Sequence, residues 1–204
     1  MVVVIIGING RIGQMLYEYY KDEFDIIGVD TKAFGFSSFN SILDINRKID
    51  LVIDFSSTSA LSELIYALKN KMIVICGTTG YDKSQIEMLN EIGNGNFYYS
   101  SNYAKGIKLF TKLIKEINED YKEFDFVEIH STKKKDSPSG TAKMIADKLG
   151  FDYSKIQSLR LKDANPIHEF IFKNKNEKIM VIHEIISPNA FIEGFDEVLK
   201  EIIT

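Results

Sequence analysis

The fold of this chain is decided by its first residues, Val2-Val3-Val4-Ile5-Ile6-Gly7-Ile8-Asn9-Gly10-Arg11-Ile12-Gly13. The opening β-branched run is typical of a strand that is buried on both faces of a parallel sheet. Glycines spaced three apart then lead into a helical pattern, and they let the backbone approach a pyrophosphate at the helix N-terminus. The spacing is Gly-x-x-Gly-x-x-Gly rather than the standard Gly-x-Gly-x-x-Gly, so this motif needs support from its surroundings.

That support comes from an acidic residue at the end of the next predicted strand, 25–29. Asp30 follows the glycines by about twenty residues, where a carboxylate hydrogen-bonds the ribose 2′-hydroxyl of NAD and repels the 2′-phosphate of NADP. Lys32 lies two residues further on and would partly offset that repulsion. We therefore expect a nicotinamide dinucleotide as cofactor, with NADH preferred and NADPH as the alternative.

Apolar runs alternate with helical patterns as far as residue 100. Further strands are predicted at 49–57, 71–76 and 96–100, with helices at 58–69 and 82–92 and a loop with a short helix near 39–45. This alternation predicts an α/β fold with a Rossmann-like, doubly wound parallel sheet. Gly77-Thr78-Thr79-Gly80 ends one of these strands, and its small residues suit the crevice where such sheets bind ligands.

The pattern breaks at residues 100–106, a short polar segment that suits a hinge between two lobes. Beyond it we predict helices at 107–121, 141–149 and 191–203, and strands at 124–129, 158–161, 167–172 and 178–185. The last three strands alternate partly, which predicts one face for the core and one for something else, such as another subunit; a plain core sheet is the alternative. We expect residues 1–101 to form one domain, 102–187 a smaller α+β domain, and 188–204 to return to the first.

Composition excludes several classes of protein. With 204 residues, 45% hydrophobic and 26% charged, the chain is typical of a globular protein of one large or two small domains. The net charge of −4 argues against a general nucleic-acid binder. The single cysteine, Cys76, lies in an apolar run and predicts a buried thiol in a reducing compartment. Without a signal peptide pattern or a membrane span of about 20 apolar residues, we expect a cytoplasmic protein.

The stretch richest in chemistry is Glu128-Ile129-His130-Ser131-Thr132-Lys133-Lys134-Lys135-Asp136-Ser137-Pro138-Ser139-Gly140-Thr141-Ala142. Its lysines supply positive charge, and the N–H groups of the helix that follows supply directed donors, which together suit a carboxylated small molecule. A solvated loop before a well-capped helix is the alternative. His168 and His183 are expected to be satisfied sheet residues, and without a cluster at metal-ligand spacing we predict no metal.

Taken together, these segments resemble the dihydrodipicolinate reductase family of lysine and diaminopimelate biosynthesis. The resemblance covers nearly the whole chain and rests on residues 7–13, 54–56, 77–80, 101–103 and 128–142. It implies an oxidoreductase that reduces 4-hydroxy-tetrahydrodipicolinate, or dihydrodipicolinate, to tetrahydrodipicolinate with NAD(P)H. It also implies that the first domain binds the dinucleotide, and that the second binds substrate and assembles a homotetramer through its sheet.

The resemblance further implies roles for single residues. His130 falls on an acid–base position, and Lys134 on the lysine that donates a proton to the substrate. The substrate-binding positions are Ser131, Ser139, Gly140 and Thr141. The cofactor-binding positions are Gly7, Ile8, Asn9, Gly10, Arg11, Ile12, Asp30, Gly77, Thr78, Thr79, Ser100, Ser101, Asn102 and Tyr103.

Two departures from the family pattern leave other functions open. Ser131 stands where the family usually has a second histidine, and Ser187-Pro188-Asn189 stands where an arginine is common. A nucleotide-binding sensor, or a relative that has lost its chemistry, is therefore one alternative. A dehydrogenase of the aspartate or homoserine type is another, although the Lys-x-Asp-x-Pro-Ser-Gly-Thr run argues against it.

Overall fold

The computed structural model describes residues 1–32 and 35–203. The chain divides into two compact units, Met1–Ser101 and Asn102–Thr204. The division falls at the predicted boundary between the two domains. No helix of the described ranges is long and apolar enough to cross a membrane.

The first unit is a six-stranded parallel sheet with three helices in its connections. Its strands are β1 (Val2–Ile6), β2 (Asp25–Val29), β3 (Ser37–Phe39), β4 (Leu51–Asp54), β5 (Ile73–Cys76) and β6 (Phe97–Tyr99). Its helices are α1 (Arg11–Tyr20), α2 (Leu61–Lys69) and α3 (Lys83–Gly93), with single 3₁₀ turns at Ile42–Asp44 and Thr58–Ala60. The predicted short helix near 39–45 is thus one 3₁₀ turn, and β3 lies where the sequence predicts a loop.

The strand order is β3-β2-β1-β4-β5-β6, so the direction of winding reverses between β1 and β4. This order confirms the prediction of a doubly wound α/β sheet. All four residues of β4 are buried, as are four of the five in β1, because these central strands are covered on both faces. Open α/β sheets bind ligands outside the carboxyl ends of the strands at such a reversal point.

The second unit is a four-stranded mixed sheet with three helices. Its elements are α4 (Lys105–Asp120), β7 (Glu123–Ser131), α5 (Gly140–Leu149), β8 (Ile156–Leu161), β9 (Ile167–Lys173), β10 (Lys178–Glu184) and α6 (Asn189–Ile203), with a 3₁₀ turn at Tyr153–Lys155. The order is β10-β9-β7-β8, in which only the β7–β8 pair is parallel.

The two faces of this sheet differ sharply in their surroundings. Alternate residues of β7 and β9 are buried, and Phe126 stacks on Phe170 with ring centres 4.3 Å apart. This face and residues of α4 and α5 share one apolar core. Apolar side chains of the opposite face are exposed, namely Leu159, Leu161, Met180 and Ile182. The predicted alternation is therefore present, and the outer face carries exposed apolar side chains.

The C-terminal helix α6 lies in the second unit, whereas the sequence predicts that residues 188–204 return to the first domain. The reason is its packing against the segment that enters α4. A Cβ on Gly194 would lie 1.8 Å from the Tyr103 carbonyl oxygen, so only glycine allows this approach. Phe195 meets the Tyr103 ring edge-on, with centroids 5.3 Å apart.

Candidate active site

A cavity of about 410 Å³ lies in the first unit, where the winding of the sheet reverses. Its wall is formed by the loops after β1, β2 and β4, and includes Gly7, Asn9, Gly10 and Asp30. Four of the predicted cofactor-binding residues are therefore brought together. The loop after β4 contributes Phe55 to Ser57 to the same wall, which the sequence did not single out as cofactor-binding.

The glycine loop has the geometry that a pyrophosphate requires. Gly7 has a φ of +82°, and a Cβ there would lie 2.7 Å from the Phe55 carbonyl oxygen. A Cβ on Gly13 would lie 2.2 Å from the Gly7 carbonyl oxygen, so α1 packs directly on the loop. Helix α1 starts after Gly10 with no side-chain cap, which leaves its N-terminal amide dipoles facing outward. These residues fit a bound dinucleotide.

Not every predicted residue of this loop has its side chain in the cavity wall. Ile8 is fully buried, so its side chain is part of the core, and its N–H donates to the Val29 carbonyl oxygen at 3.3 Å. Arg11 is exposed and Ile12 is half-buried.

Asp30 is held at the edge of the cavity by the glycine loop. Its Oδ2 accepts a hydrogen bond from the Asn9 backbone N–H at 3.1 Å, and its Oδ1 accepts from the Thr31 hydroxyl at 3.3 Å. The Asn9 side chain donates to the Lys32 carbonyl oxygen at 3.3 Å. The end of β2 is thus tied to the loop after β1, and the carboxylate has the fixed position that ribose recognition needs.

The loops after β4 and β5 are joined by a buried carboxylate, Asp54, which was not predicted as a site residue. Asp54 accepts from the Ser56 N–H at 3.1 Å and from the Cys76 thiol at 3.3 Å. Burial raises the pKa of the Asp54 carboxyl and also that of the Cys76 thiol. The sequence predicts this cysteine to be buried. Thr78 accepts from the same Ser56 N–H at 2.8 Å and is buried.

The remaining predicted cofactor residues lie elsewhere. Gly77 packs against the Phe55 ring, where a Cβ would come within 2.1 Å of a ring carbon. The described wall of the cavity includes none of residues 77–79 or 100–103. Thr79 is exposed, whereas Ser100 and Ser101 are half-buried. The family resemblance implied the cofactor role of these residues, and that role stays a prediction.

In the second unit, the Glu128 carboxylate has no exposed surface. Its Oε1 accepts three hydrogen bonds, from the Ser139 N–H at 2.9 Å, the Ser158 hydroxyl at 2.7 Å and Arg160 Nη2 at 3.1 Å. Burial alone would raise the pKa of Glu128, but the nearby His130 and the hydrogen bonds from Ser139 and Ser158 hold that pKa well below the usual range. Glu128 is therefore an anion around which the turn and β8 are organised.

The Asp136 carboxylate contacts both Lys134, the predicted proton donor, and the N–H of Gly140, which is predicted to bind a substrate carboxylate. Lys134 Nζ lies 2.7 Å from Asp136 Oδ1, and the Gly140 N–H donates to Oδ2 at 3.2 Å. Burial raises the pKa of Asp136, but the hydrogen bond and charge of Lys134 outweigh it and lower that pKa. The turn before α5 thus holds a carboxylate with a lysine ammonium and a helix N-terminus.

The other predicted substrate-binding residues have local partners. The Ser139 hydroxyl caps α5 by accepting from the Ala142 N–H at 3.2 Å, so its part is structural. The Thr141 hydroxyl accepts from Asn102 Nδ2 at 3.0 Å, so Asn102 contacts a predicted substrate-binding residue and is not in the described wall of the cavity. Ser131 Oγ accepts from the Lys133 N–H at 3.2 Å and shapes the turn.

Three histidines form a row across the sheet beside Glu128. The rings of His130 and His168 lie 5.6 Å apart, and those of His168 and His183 lie 6.0 Å apart. Strand register places His168 opposite both Glu128 and His183. Contrary to the prediction of a satisfied sheet residue, both ring nitrogens of His168 lack a hydrogen-bond partner among the described residues. Burial, with the charges of His130 and His183, lowers the pKa of His168 to about 3.

Glu128, His130 and His168 offer ligand atoms within 4.8 Å of one another, the kind of cluster that could hold a metal. The spacing in sequence did not predict it, because pairing between β7 and β9 creates it. Arg160 already lies 3.1 Å from the Glu128 carboxylate, and a second cation there would be repelled. We therefore assign no metal to this cluster.

Family models match both units. Residues 1–103 match the model described as dihydrodipicolinate reductase, N-terminus, and residues 106–203 match that described as dihydrodipicolinate reductase, C-terminus. The chain belongs to the dihydrodipicolinate reductase family. It is accordingly an NAD(P)H-dependent oxidoreductase, and the reductase prediction is confirmed over the sensor and the related dehydrogenases.

Curated relatives agree with the family models. A 4-hydroxy-tetrahydrodipicolinate reductase of Clostridium tetani is 33% identical over 94% of this enzyme and 88% of the relative. One of Rickettsia canadensis is 34% identical over 92% of this enzyme and 87% of the relative.

Solved structures share the fold. The dipicolinate-bound dihydrodipicolinate reductase of Paenisporosarcina sp. TG-14 superposes with a TM-score of 0.75 at 19% identity, covering 96% of this enzyme and 92% of that chain. The aspartate dehydrogenase of Thermotoga maritima superposes with a TM-score of 0.63 at 17% identity, covering 100% of this enzyme and 97% of that chain.

The buried His168 should make folding stability depend on pH. Its folded-state pKa of about 3 lies below the value of about 6.5 for an unfolded histidine, so the unfolded chain binds more protons between these values. Stability contributed by neutral His168 is complete above about pH 6.5 and is lost as the pH falls, by up to about 1.4 kcal/mol per pH unit. We expect His168→Phe to reduce this slope.

The measurement is urea unfolding between about pH 4.5 and 6.5, a range above the usual pKa values of unfolded Asp and Glu. His183→Phe serves as the comparison, because its half-buried ring has a pKa that burial lowers. We expect it to reduce the slope less than His168→Phe does. An unchanged slope in His168→Phe would contradict the assignment.

Proposed function

We propose that the two units perform one reduction, that of 4-hydroxy-tetrahydrodipicolinate or dihydrodipicolinate to tetrahydrodipicolinate with NAD(P)H, in lysine and diaminopimelate biosynthesis. Membership of the family supports this reaction. The observation in this chain that carries it is the carboxylate of Asp136 held between Lys134 Nζ and the Gly140 N–H. A carboxylate of a dicarboxylate substrate can bind where the Asp136 carboxylate lies. One relative of known structure is described as dipicolinate-bound.

The cofactor belongs to the first unit. The N–H groups of the first turn of α1 would hold the pyrophosphate, and Asp30 would hold the adenosine ribose. When bound, the nicotinamide supplies the hydride. Because Asp30 is fixed by Asn9 and would repel a 2′-phosphate, we assign NADH as the preferred cofactor.

The substrate belongs to the second unit. The Gly140 N–H and the Thr141 hydroxyl bind one substrate carboxylate. This carboxylate displaces the Asp136 carboxylate from the Gly140 N–H. Lys134, thereby released from Asp136, donates a proton to the substrate as negative charge develops there. His130 acts as an acid–base group toward the same substrate. Ser131 replaces the second histidine of the family.

Assembly and location follow from the second unit and the composition. The apolar outer face with Leu159, Leu161, Met180 and Ile182 is suited to cover a second sheet, and we assign a homotetramer formed through it. The buried thiol of Cys76 is compatible with the reducing cytoplasm, where we place the enzyme.

Replacing Lys134 tests the assigned proton donor. Lys134→Ala should reduce kcat by about 100-fold or more, because general-acid catalysis contributes about 10²–10⁴-fold. The affinity for NADH should not change, because Lys134 is not one of the proposed cofactor-binding residues. Steady-state kinetics and NADH fluorescence titration measure the two effects.

The matched control is Lys135→Ala, which removes an exposed lysine from the same turn. It should retain at least half of the wild-type kcat. An equal loss in both variants, or no loss in Lys134→Ala, would remove Lys134 from the mechanism.

Replacing Asp30 tests cofactor preference. Asp30→Asn should weaken the binding of NADH and strengthen the binding of NADPH, because the repulsion of the 2′-phosphate is removed. The ratio of the two KM values should change by about 10-fold, equivalent to about 1.4 kcal/mol. Asp22→Asn, an exposed residue with no cofactor role, is the control. A wild-type enzyme that uses NADPH as well as NADH would show that Asp30 does not set the preference.

A charge on the outer face of the sheet tests assembly. Ile182→Asp should convert the tetramer to smaller species, because it would bury an unpaired carboxylate in the interface. Light scattering after size exclusion gives the mass. Leu43→Asp, an equally exposed apolar position in the first unit, should leave the mass unchanged. A single-chain mass for the wild type would contradict the homotetramer.

A further inference from the structure

We propose that Glu128 is a positioning residue that determines which ring nitrogen of His130 carries the proton. In this arrangement Nδ1–H of His130 faces the Glu128 carboxylate, and Nε2 is the nitrogen available for proton exchange with the substrate. The proposal rests on the acid–base role of His130 in the proposed function. It gives Glu128 a part in the reaction, in addition to its place in organising the turn and β8.

The two oxygens of the Glu128 carboxylate have different surroundings. Oε1 accepts three hydrogen bonds, from Ser139, Ser158 and Arg160. Oε2 lies 3.3 Å from His130 Nδ1. Within the described part of the chain, neither Oε2 nor Nδ1 has a hydrogen bond of its own. A small rotation of the imidazole would pair the two.

A bond between these atoms is possible with only one arrangement of protons. An ionised carboxylate can only accept, so Nδ1 must carry the proton that it donates. Glu128 is ionised, because its hydrogen bonds hold its pKa low. In a neutral imidazole the proton on Nδ1 leaves Nε2 as the acceptor. The carboxylate therefore selects one tautomer.

The carboxylate is rigid enough to act in this way. Glu128 and His130 both point to the buried face of β7, two residues apart on one strand. The three donors to Oε1 come from the turn before α5 and from β8, so they prevent the carboxylate from rotating. Outer partners of this kind commonly fix the orientation and tautomer of a functional histidine.

The asymmetry of the two oxygens gives a sharp consequence for Glu128→Gln. The amide has one oxygen, and the three donors that converge on Oε1 would hold it there. Its NH₂ group would then occupy the place of Oε2 and face His130 Nδ1. Because NH₂ only donates, Nδ1 would have to accept, and the ring proton would move to Nε2. A nearly isosteric substitution should thus invert the tautomer.

A purely structural role for Glu128 makes a different prediction. If the carboxylate only ties β7 to β8 and to the turn before α5, its loss should reduce activity whether or not His130 is present. If it acts through His130, its loss should have no further effect once His130 has been replaced.

The first measurement is a ¹⁵N NMR spectrum of the histidine-labelled full-length enzyme without substrate, at about pH 8, where an ordinary histidine is neutral. His130→Asn identifies the resonances of His130. We expect the Nδ1–H tautomer in the wild type and the Nε2–H tautomer in Glu128→Gln. A wild-type spectrum with the Nε2–H form would overturn the proposal, even if the variant failed to fold.

The second measurement is a double-mutant cycle on kcat with Glu128→Gln, His130→Asn and both together. Glu128→Gln should lower kcat by about 10-fold or more, as loss of the correct tautomer does in other acid–base sites, and should add nothing in the His130→Asn background. NADH affinity should stay unchanged. Glu123→Gln, an exposed carboxyl at the start of the same strand, is the matched control and should behave as wild type.

If the two single variants lower kcat independently, so that their factors multiply in the double variant, Glu128 is only structural. That result would overturn the proposal. The NMR measurement needs no substrate, so it tests Glu128 separately from the reaction. An enzyme that shows the expected tautomers but does not turn over the dicarboxylate would contradict the proposed function and leave the assignment of Glu128 standing.

Discussion

The second unit depends on one electrostatic constraint, a carboxylate at Glu128 with no exposed surface. A buried charge costs several kcal/mol unless it is paired and hydrogen-bonded. The chain meets this requirement with donors from the backbone of Ser139 and from the side chains of Ser158 and Arg160. Those bonds determine where β8 lies relative to β7 and where α5 begins. The turn with Lys134 and Gly140 is positioned as a result.

The first unit solves a related problem with backbone rather than side chains. Its ligand site lies where the winding of the parallel sheet reverses, and close packing of Gly7 and Gly13 brings the loop after β1 against α1. Amide dipoles at a helix N-terminus attract phosphate without a buried cation. We therefore propose that each unit binds an anion, a pyrophosphate in the first and a substrate carboxylate in the second.

The sequence predicted the features that depend on local patterns. Continuous β-branched runs predicted β1 and β4, and the Ser139-Gly140 step predicted the start of α5. It missed β3, whose three residues are too few to show a period, and it misplaced α6, whose packing depends on the close approach at Gly194. It also missed Arg160 and His168, because strand pairing brings them to Glu128 from distant positions. The family motif predicted Lys134, and the acidic position about twenty residues after the glycines predicted Asp30. The geometry of both residues is compatible with their roles.

The central claim is that this chain still performs the family's reduction, despite Ser131 and the missing arginine. The most direct measurement is the oxidation of NADH by the purified enzyme with freshly prepared dihydrodipicolinate precursor, with and without pyridine-2,6-dicarboxylate. We predict that NADH is oxidised only when the precursor is present, and that the added dicarboxylate competes with it. Binding of NADH without any oxidation that depends on the precursor would contradict the claim and identify a nucleotide-binding relative that has lost its chemistry.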